Sequence, residues 1–345
     1  MYILYFDSGT TNSRGYILEL NDDNAVSGGA HISASKKIPL GSKDVSQTGD
    51  RTLLPCGLKK LYDDVLSEAG LTDGDISKIY ASGMITSPFG LIEVPHALVP
   101  FGPAELAAAV YPFEEKEFFR RTIHLVPGAK TAEGRISMEE LPGVNNVRGE
   151  EIEAIGIKNF VPAEWKEGKY IILFPGSHTH ALLFEGDRII DILSNFSGEV
   201  FHAITTATIL SGSTRLTEEE EAAGPAVPAA ETVCAGLDAL RRYGFARASY
   251  IVHASKIFDA CDNRTRRDML SAIIVGTVFQ SLALNIENKW TDVTRLAIYG
   301  DDTALLTCSE AAKVFLPQLE TAQISNNQEG IVCSVEGILN IIAEM

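Results

Sequence analysis

One pattern constrains this chain more than any other. A short apolar run, a polar glycine-containing turn and two further apolar runs occur twice. In the first copy residues 2–6 are apolar, Asp7-Ser8-Gly9-Thr10-Thr11-Asn12-Ser13 is turn chemistry, 15–20 is apolar again, and 30–38 supplies a third strand. In the second copy residues 170–174 are apolar, Pro175-Gly176-Ser177-His178-Thr179 turns, 181–184 resumes, and Gly186-Asp187 leads tightly into 188–193. The copies share a layout without a detectable sequence repeat, so the duplication is architectural. A chain of 345 residues is expected to hold about two domains, and each copy supplies the sheet of one.

The remaining elements follow from periodicity. Leu54, Leu58, Leu61 and Val65 fall at helical spacing, with Gly70 as the stop. Residues 78–82 read as a strand ending at Gly83, Pro103 opens a helix over 104–110, 122–126 is a strand, and 150–160 is a helix. From Gly198 the chain is mainly helical. Glu218 to Glu221, with Gly224-Pro225 and Pro228, reads as a solvated helix end and connection. Residues 295–299 form a late strand closed by Gly300-Asp301-Asp302, and 331–342 a terminal amphipathic helix. Residues 269–286 carry no charge and approach the length of a membrane span. Their Ser271, Thr277, Gln280, Ser281 and Asn285 favour a buried core helix, so no membrane is expected as a partner.

Composition narrows the function classes. The net charge of −17 argues against gripping nucleic acid or an anionic membrane surface. It leaves phosphate binding open, because a few oriented backbone amides suffice for that. Cys56, Cys234, Cys261, Cys308 and Cys333 are odd in number and widely spaced, which favours reduced thiols over a disulfide framework. Met1-Tyr2-Ile3-Leu4 has neither a basic region nor a small-residue cleavage site, so a cytoplasmic location is expected.

Five constellations can carry chemistry. The Asp7–Ser13 turn can present amides and the hydroxyls of Ser8, Thr10, Thr11 and Ser13 to a phosphate, with Asp7 holding Mg²⁺ directly or through water; the same composition also makes an ordinary hairpin. The Gly176-Ser177-His178-Thr179 turn holds the matching place in the second copy. His178 and His180 also form an H-x-H pair on one strand face, a zinc alternative lacking a third ligand nearby. Val147-Arg148-Gly149-Glu150-Glu151 opens a helix. Paired acids are favourable there in any protein, but one carboxylate can also act as a general base while Arg148 holds a carboxylate or phosphoryl oxygen. The Gly83-Met84-Ile85-Thr86-Ser87-Pro88-Phe89 loop has the placement of substrate contacts and the composition of a surface connection. Gly300-Asp301-Asp302-Thr303, after a strand and before a helix, sits where open sheets meet ligands.

These motifs, in this order and together with Gly83-Met84 and Ser197-Gly198-Glu199, resemble the 2-dehydro-3-deoxygalactonokinases over most of the chain. The resemblance implies an α/β chain of two ribonuclease-H-like, actin-like ATPase domains flanking a nucleotide-binding cleft. Domains are expected at 1–125, with 331–345 packing back on the first, and at 126–330. It further implies ATP- and Mg²⁺-dependent phosphorylation of the C6 hydroxyl of 2-dehydro-3-deoxy-D-galactonate. Glu150 or Glu151 would be the base, Asp7 would orient Mg²⁺, and Ser8, Gly9, Thr10, Thr11, Gly176, Ser177, His178, Thr179, Gly300, Asp301 and Thr303 would contact ATP. Arg14, Gly83, Met84, Thr86, Ser87 and Arg148 would contact the sugar acid. The partner is a small molecule, and a homodimer is compatible with the reading. The sequence departs from the family at Ser8, where Trp is usual, near His180, where a basic residue is usual, and at the Gly300 turn; extra residues fall within 21–50. These departures keep two alternatives in view, a kinase for another sugar acid and a non-catalytic nucleotide- or sugar-acid-binding sensor.

Overall fold

The computed structural model describes residues 1–20, 30–224, 226–327 and 332–345. Parts of three expectations lie outside them: the extra residues at 21–29, Pro225 of the connection, and residue 331 of the last helix. The described chain divides into two compact units.

The first unit opens with β1 (Tyr2–Ser8), β2 (Ser13–Leu20) and β3 (Ala30–Ile38), followed by α1 (Ser42–Thr48), α2 (Leu53–Ala69) and β4 (Ile76–Gly83). β5 (Ala97–Leu98), α3 (Pro103–Ala108), β6 (Tyr111–Glu115), β7 (Arg121–Leu125), β8 (Ala129–Lys130), β9 (Asn146–Val147) and α4 (Glu150–Ile157) continue it. Its main sheet has the order β3-β2-β1-β4-β7-β6. β1 pairs antiparallel with β2 and parallel with β4, so the ends of β1 and β4 lie side by side, with Ser8 opposite Gly83. Leu54, Leu58, Leu61 and Val65 on α2 are fully buried with Leu4, Phe6, Ile17 and Ile79, as the helical spacing requires. Gly70 ends that helix in the left-handed conformation.

The second unit holds β10 (Lys169–Phe174), β11 (His178–Glu185) and most of the region after β12 (Arg188–Phe196). Then come α5 (Gly198–Ala207), α6 (Ser211–Thr214), α7 (Glu218–Ala222), α8 (Ala230–Ile257, interrupted at Gly244), α9 (Asn263–Asn288), β13 (Arg295–Gly300), α10 (Asp302–Phe315) and β14 (Glu320–Ser325). The sheet order is β12-β11-β10-β13-β14. It repeats the first: a central strand, its antiparallel hairpin partner and a third strand on one side, parallel strands on the other. α9 is long and apolar enough to cross a membrane by composition, but half of its apolar window is buried. Leu270, Ile273 and Ile274 pack with Leu240, Ala248 and Val252 of α8, the behaviour of a core helix.

α11 (Cys333–Ile342) groups with the first unit, packed on α4. The first unit runs to residue 160, where the sequence reading placed a boundary at 125. The reason is local: 126–160 supplies β8, which pairs with β5, β9, which pairs with β8, and α4, which packs against α11.

Candidate active site

Each unit presents a glycine turn held from behind in the same way. In the first, the carbonyls of Gly9 and Thr10 accept from the amides of Ser42 and Lys43 at the start of α1, at 3.3 and 2.9 Å. A Cβ on Gly41 would lie 2.4 Å from the Thr10 oxygen, so only glycine permits this approach. In the second, the carbonyls of Gly176 and Ser177 accept from Gly198 and Glu199 at the start of α5, at 3.2 and 3.0 Å, and a Cβ on Gly198 would lie 2.7 Å from the Gly176 oxygen. With the carbonyls tied back, the amides of Thr10, Thr11, Gly176 and Ser177 make no hydrogen bond among the described residues. Such amides form a nest for an anion.

The turn side chains differ from expectation. Ser8 is fully buried and its Oγ meets Ser13 Oγ at 2.9 Å; Thr179 is buried and meets Ser197 Oγ at 2.7 Å. These hydroxyls fasten the hairpins and do not face a ligand. Thr10 and Thr11 are exposed at the tip. His178 is exposed and lies edge-on to Phe196, while His180 is buried with Nδ1 2.8 Å from Ser194 Oγ. Among the described residues no group of three His, Cys, Asp or Glu could hold a metal, so the H-x-H pair gains no third ligand.

Asp7 lies where β1 gives way to the turn. Its side chain is 16% exposed; Oδ2 accepts from Arg14 Nη1 at 3.3 Å and from Ser334 Oγ at 3.4 Å. Burial raises its pKa, Arg14 and Ser334 oppose that, and Glu150 adds to it. α4 contributes three acids in its first turn. Glu150 is partly exposed, and Oε2 accepts from the Arg148 amide at 3.2 Å. Glu151 is fully buried; Oε2 accepts from the Gly149 amide at 2.8 Å while Oε1 has no hydrogen-bond partner among the described residues. Burial, then the Glu150 charge, pushes its pKa up to about 8. Glu153 is pushed up to about 8 as well, by burial and then by Asp7. Sequence reasoning missed Glu153 and Ser334. Glu153 stands three residues after Glu150, on one helix face, a spacing that signals it. Ser334 comes from α11 and has no local signal.

Arg148 does not reach outward. Its Nη1 donates to Thr86 O and Oγ1, both at 2.5 Å, and to Val94 O at 3.3 Å; Nη2 donates to Val94 O at 3.3 Å and to His96 Nδ1 at 3.2 Å. The expected substrate contacts Thr86 and Ser87 are buried, Thr86 donating to Gly83 O at 2.9 Å and Ser87 Oγ accepting from the Phe89 amide at 3.3 Å. Met84 remains partly exposed beside them, and Gly83, with φ of +84°, makes the turn out of β4. Arg14 keeps a side chain 43% exposed next to Asp7.

In the second unit Asp301 caps α10, its Oδ1 accepting from the Ala304 amide at 2.9 Å. Thr303 borders a cavity of about 790 Å³ that also meets Phe201, Thr206, Arg267, Asp268 and Ser271. The Arg267 guanidinium lies 4.8 Å from the Phe201 ring centroid. Such a volume suits a small organic ligand.

The residues fit the groups the fold family implies. Unpartnered amides at each glycine turn suit a phosphate group. A strand-end carboxylate, with no cluster of three ligating side chains among the described residues, suits Mg²⁺, which keeps several waters and takes other ligands from phosphates.

A twice-built five-strand order with glycine turns at matching places defines the chain as an α/β protein of the actin-like ATPase fold, the class that includes sugar kinases. The profile of the family described as 2-keto-3-deoxy-galactonokinase matches residues 7–332, and the chain belongs to that family. It is therefore a kinase acting on a small sugar-type substrate. A structure from Sinorhizobium meliloti, designated provisionally a 2-dehydro-3-deoxygalactonokinase, is similar at 19% identity and a TM-score of 0.72, over 99% of this chain and 98% of that one. A glucokinase from Balamuthia mandrillaris in complex with glucose is 12% identical over 99% and 93%, at a TM-score of 0.43. The activator of 2-hydroxyisocaproyl-CoA dehydratase from Clostridium difficile, with bound ADPNP, is 14% identical over 100% and 94%, at 0.44. No curated protein matches the chain.

Proposed function

We propose that the protein transfers the γ-phosphoryl group of ATP to the C6 hydroxyl of 2-dehydro-3-deoxy-D-galactonate in the cytoplasm. The observation that carries the reading is the meeting, in one unit, of the Asp7 carboxylate with the acid-bearing start of α4. Glu150 is the base: it is partly exposed, whereas Glu151 is fully buried, tied to the Gly149 amide and held neutral near pH 7. The Glu150 carboxylate takes the proton of the C6 hydroxyl as that oxygen bonds to phosphorus and ADP leaves. Free amides at Thr10, Thr11, Gly176 and Ser177 bind phosphate oxygens, and Asp7 holds Mg²⁺ through water. When bound, Mg²⁺ neutralises charge on the phosphates. Arg14, exposed beside Asp7, is the cation for the substrate carboxylate. The nucleoside occupies the cavity beside Thr303.

An ADP-release assay across a panel of sugar acids tests the reading, with a clear preference for 2-dehydro-3-deoxygalactonate expected. Preference for another acid replaces the substrate. ATP binding without transfer to any acid would make the protein a sensor. Glu150→Gln is expected to lower turnover by about 10²–10⁴-fold with ATP binding retained. If Glu150→Gln and Glu151→Gln both keep normal turnover, the base is elsewhere.

A further inference from the structure

We propose that Arg148 is a positioning residue, locking the 83–96 segment to the start of α4 and thereby setting the substrate-side loop against Glu150. Among the described residues every hydrogen bond of its guanidinium is internal: Thr86 O and Oγ1, Val94 O and His96 Nδ1. One planar group thus ties three points of the segment at once, which a point-charge Lys cannot reproduce.

The fold builds the clasp deliberately. The small β5-β8-β9 sheet sets Ala97 and Val147 on either side of Ala129. That places His96, just before β5, within reach of Arg148, just after β9. His96 Nδ1 accepts from the guanidinium, so its proton resides on Nε2. Burial, with Arg148 and Lys130 beside it, lowers the His96 pKa to about 4, which keeps the ring a neutral acceptor. Burial also lowers the Arg148 pKa, as expected of a guanidinium turned inward.

The other end of the same residue holds the base. The Arg148 amide donates to Glu150 Oε2 at 3.2 Å. Next to it Gly149, with φ of +122°, would bring a Cβ within 3.5 Å of Gly83 Cα, so the start of α4 and the end of β4 touch through two glycines. A shift of the 83–96 segment is therefore a shift of the surface facing Glu150.

The inference rests on the kinase reading for its catalytic part only. Hydrogen exchange on the unliganded protein reads the clasp itself. In Arg148→Ala the amides of Gly90, Leu91 and Val94, bonded to Ser87, Ile85 and Thr86, are expected to exchange about tenfold faster or more. In turnover, kcat is expected to fall about 10²-fold with the KM for ATP unchanged. The ratio of kcat/KM for the sugar acid to that for its uncharged carboxamide should stay within about threefold of wild type. Loss of that preference by about 10² would mean that Arg148 grips the substrate carboxylate, and overturns the proposal whatever the exchange shows. Unchanged exchange, or an unchanged kcat, overturns it too. Should Arg148→Ala fail to fold, Thr86→Val removes one of the acceptors of Arg148, together with the Thr86 bond to Gly83 O, and is judged on the same readouts. If the wild type phosphorylates no sugar acid, the functional reading falls while the exchange result still decides the clasp.

Discussion

Glu150 and Glu151 are neighbours in sequence with opposite surroundings. Helix geometry turns consecutive side chains about 100° apart, so Glu150 stays partly exposed while Glu151 is fully buried. The adjacent pair was legible in the sequence; which member is buried was not, because that depends on tertiary packing around the start of α4. Arg148, Thr86 and Ser87 illustrate the same limit. Their chemistry suited a ligand, and tertiary contacts took it instead. The Glu151 environment has a pH consequence. A carboxyl raised from 4.5 to about 8 keeps its proton in the folded state where the unfolded chain has lost it. The folded state then binds more protons between those values, so stability falls as pH rises through that window. In urea titrations at pH 6 and pH 9, Glu151→Gln is expected to lose less stability than wild type, by more than about 1 kcal/mol. Equal losses in the two proteins would show that Glu151 ionises normally.

At the level of elements, the hairpins, the α2 period with its Gly70 stop, and the strands before Gly83 and Gly300 were all readable, since buried strands and amphipathic helices write their period into the chain. β6 and β14 escaped. Both are edge strands and mostly exposed, β6 contains Pro112, and neither carries the alternation of a half-buried strand. The tightest packing also left no periodic mark. A Cβ on Gly156 of α4 would lie 2.0 Å from the Cys333 oxygen of α11, and one on Gly337 of α11 would lie 1.9 Å from the Ile152 oxygen of α4. These helices meet backbone to backbone. Gly156→Ala and Gly337→Ala are each expected to cost about 1–3 kcal/mol or more in chemical denaturation, since neither carbonyl can withdraw without moving its helix. Each should also lower turnover by displacing Ser334 from Asp7. A stability change below about 0.5 kcal/mol for both would mean that the helices stand further apart.

On the scale of the whole molecule, the same solution occurs twice: a glycine turn whose carbonyls are tied to a helix start, with one glycine allowing the approach. Two unlike sequences converge on it because the geometry of backbone amides, not side-chain identity, forms the nest. Gly41→Ala and Gly198→Ala are therefore expected to act alike, each raising the Kd for ATP about tenfold or more by calorimetry while circular dichroism stays native. An effect from one glycine alone would restrict phosphate binding to that unit. The placement of α11 has a further consequence, during biosynthesis. Ile152, Ile155 and Ile157 of α4 are buried in the finished first unit, which includes α11. Residues 158–332 must leave the ribosome before α11 does. At about 5–20 residues per second that wait is roughly 9–35 s. The second unit, almost continuous in the chain, can complete itself first. The half that is begun first is thus finished last, and the apolar face of α4 waits that long for its cover.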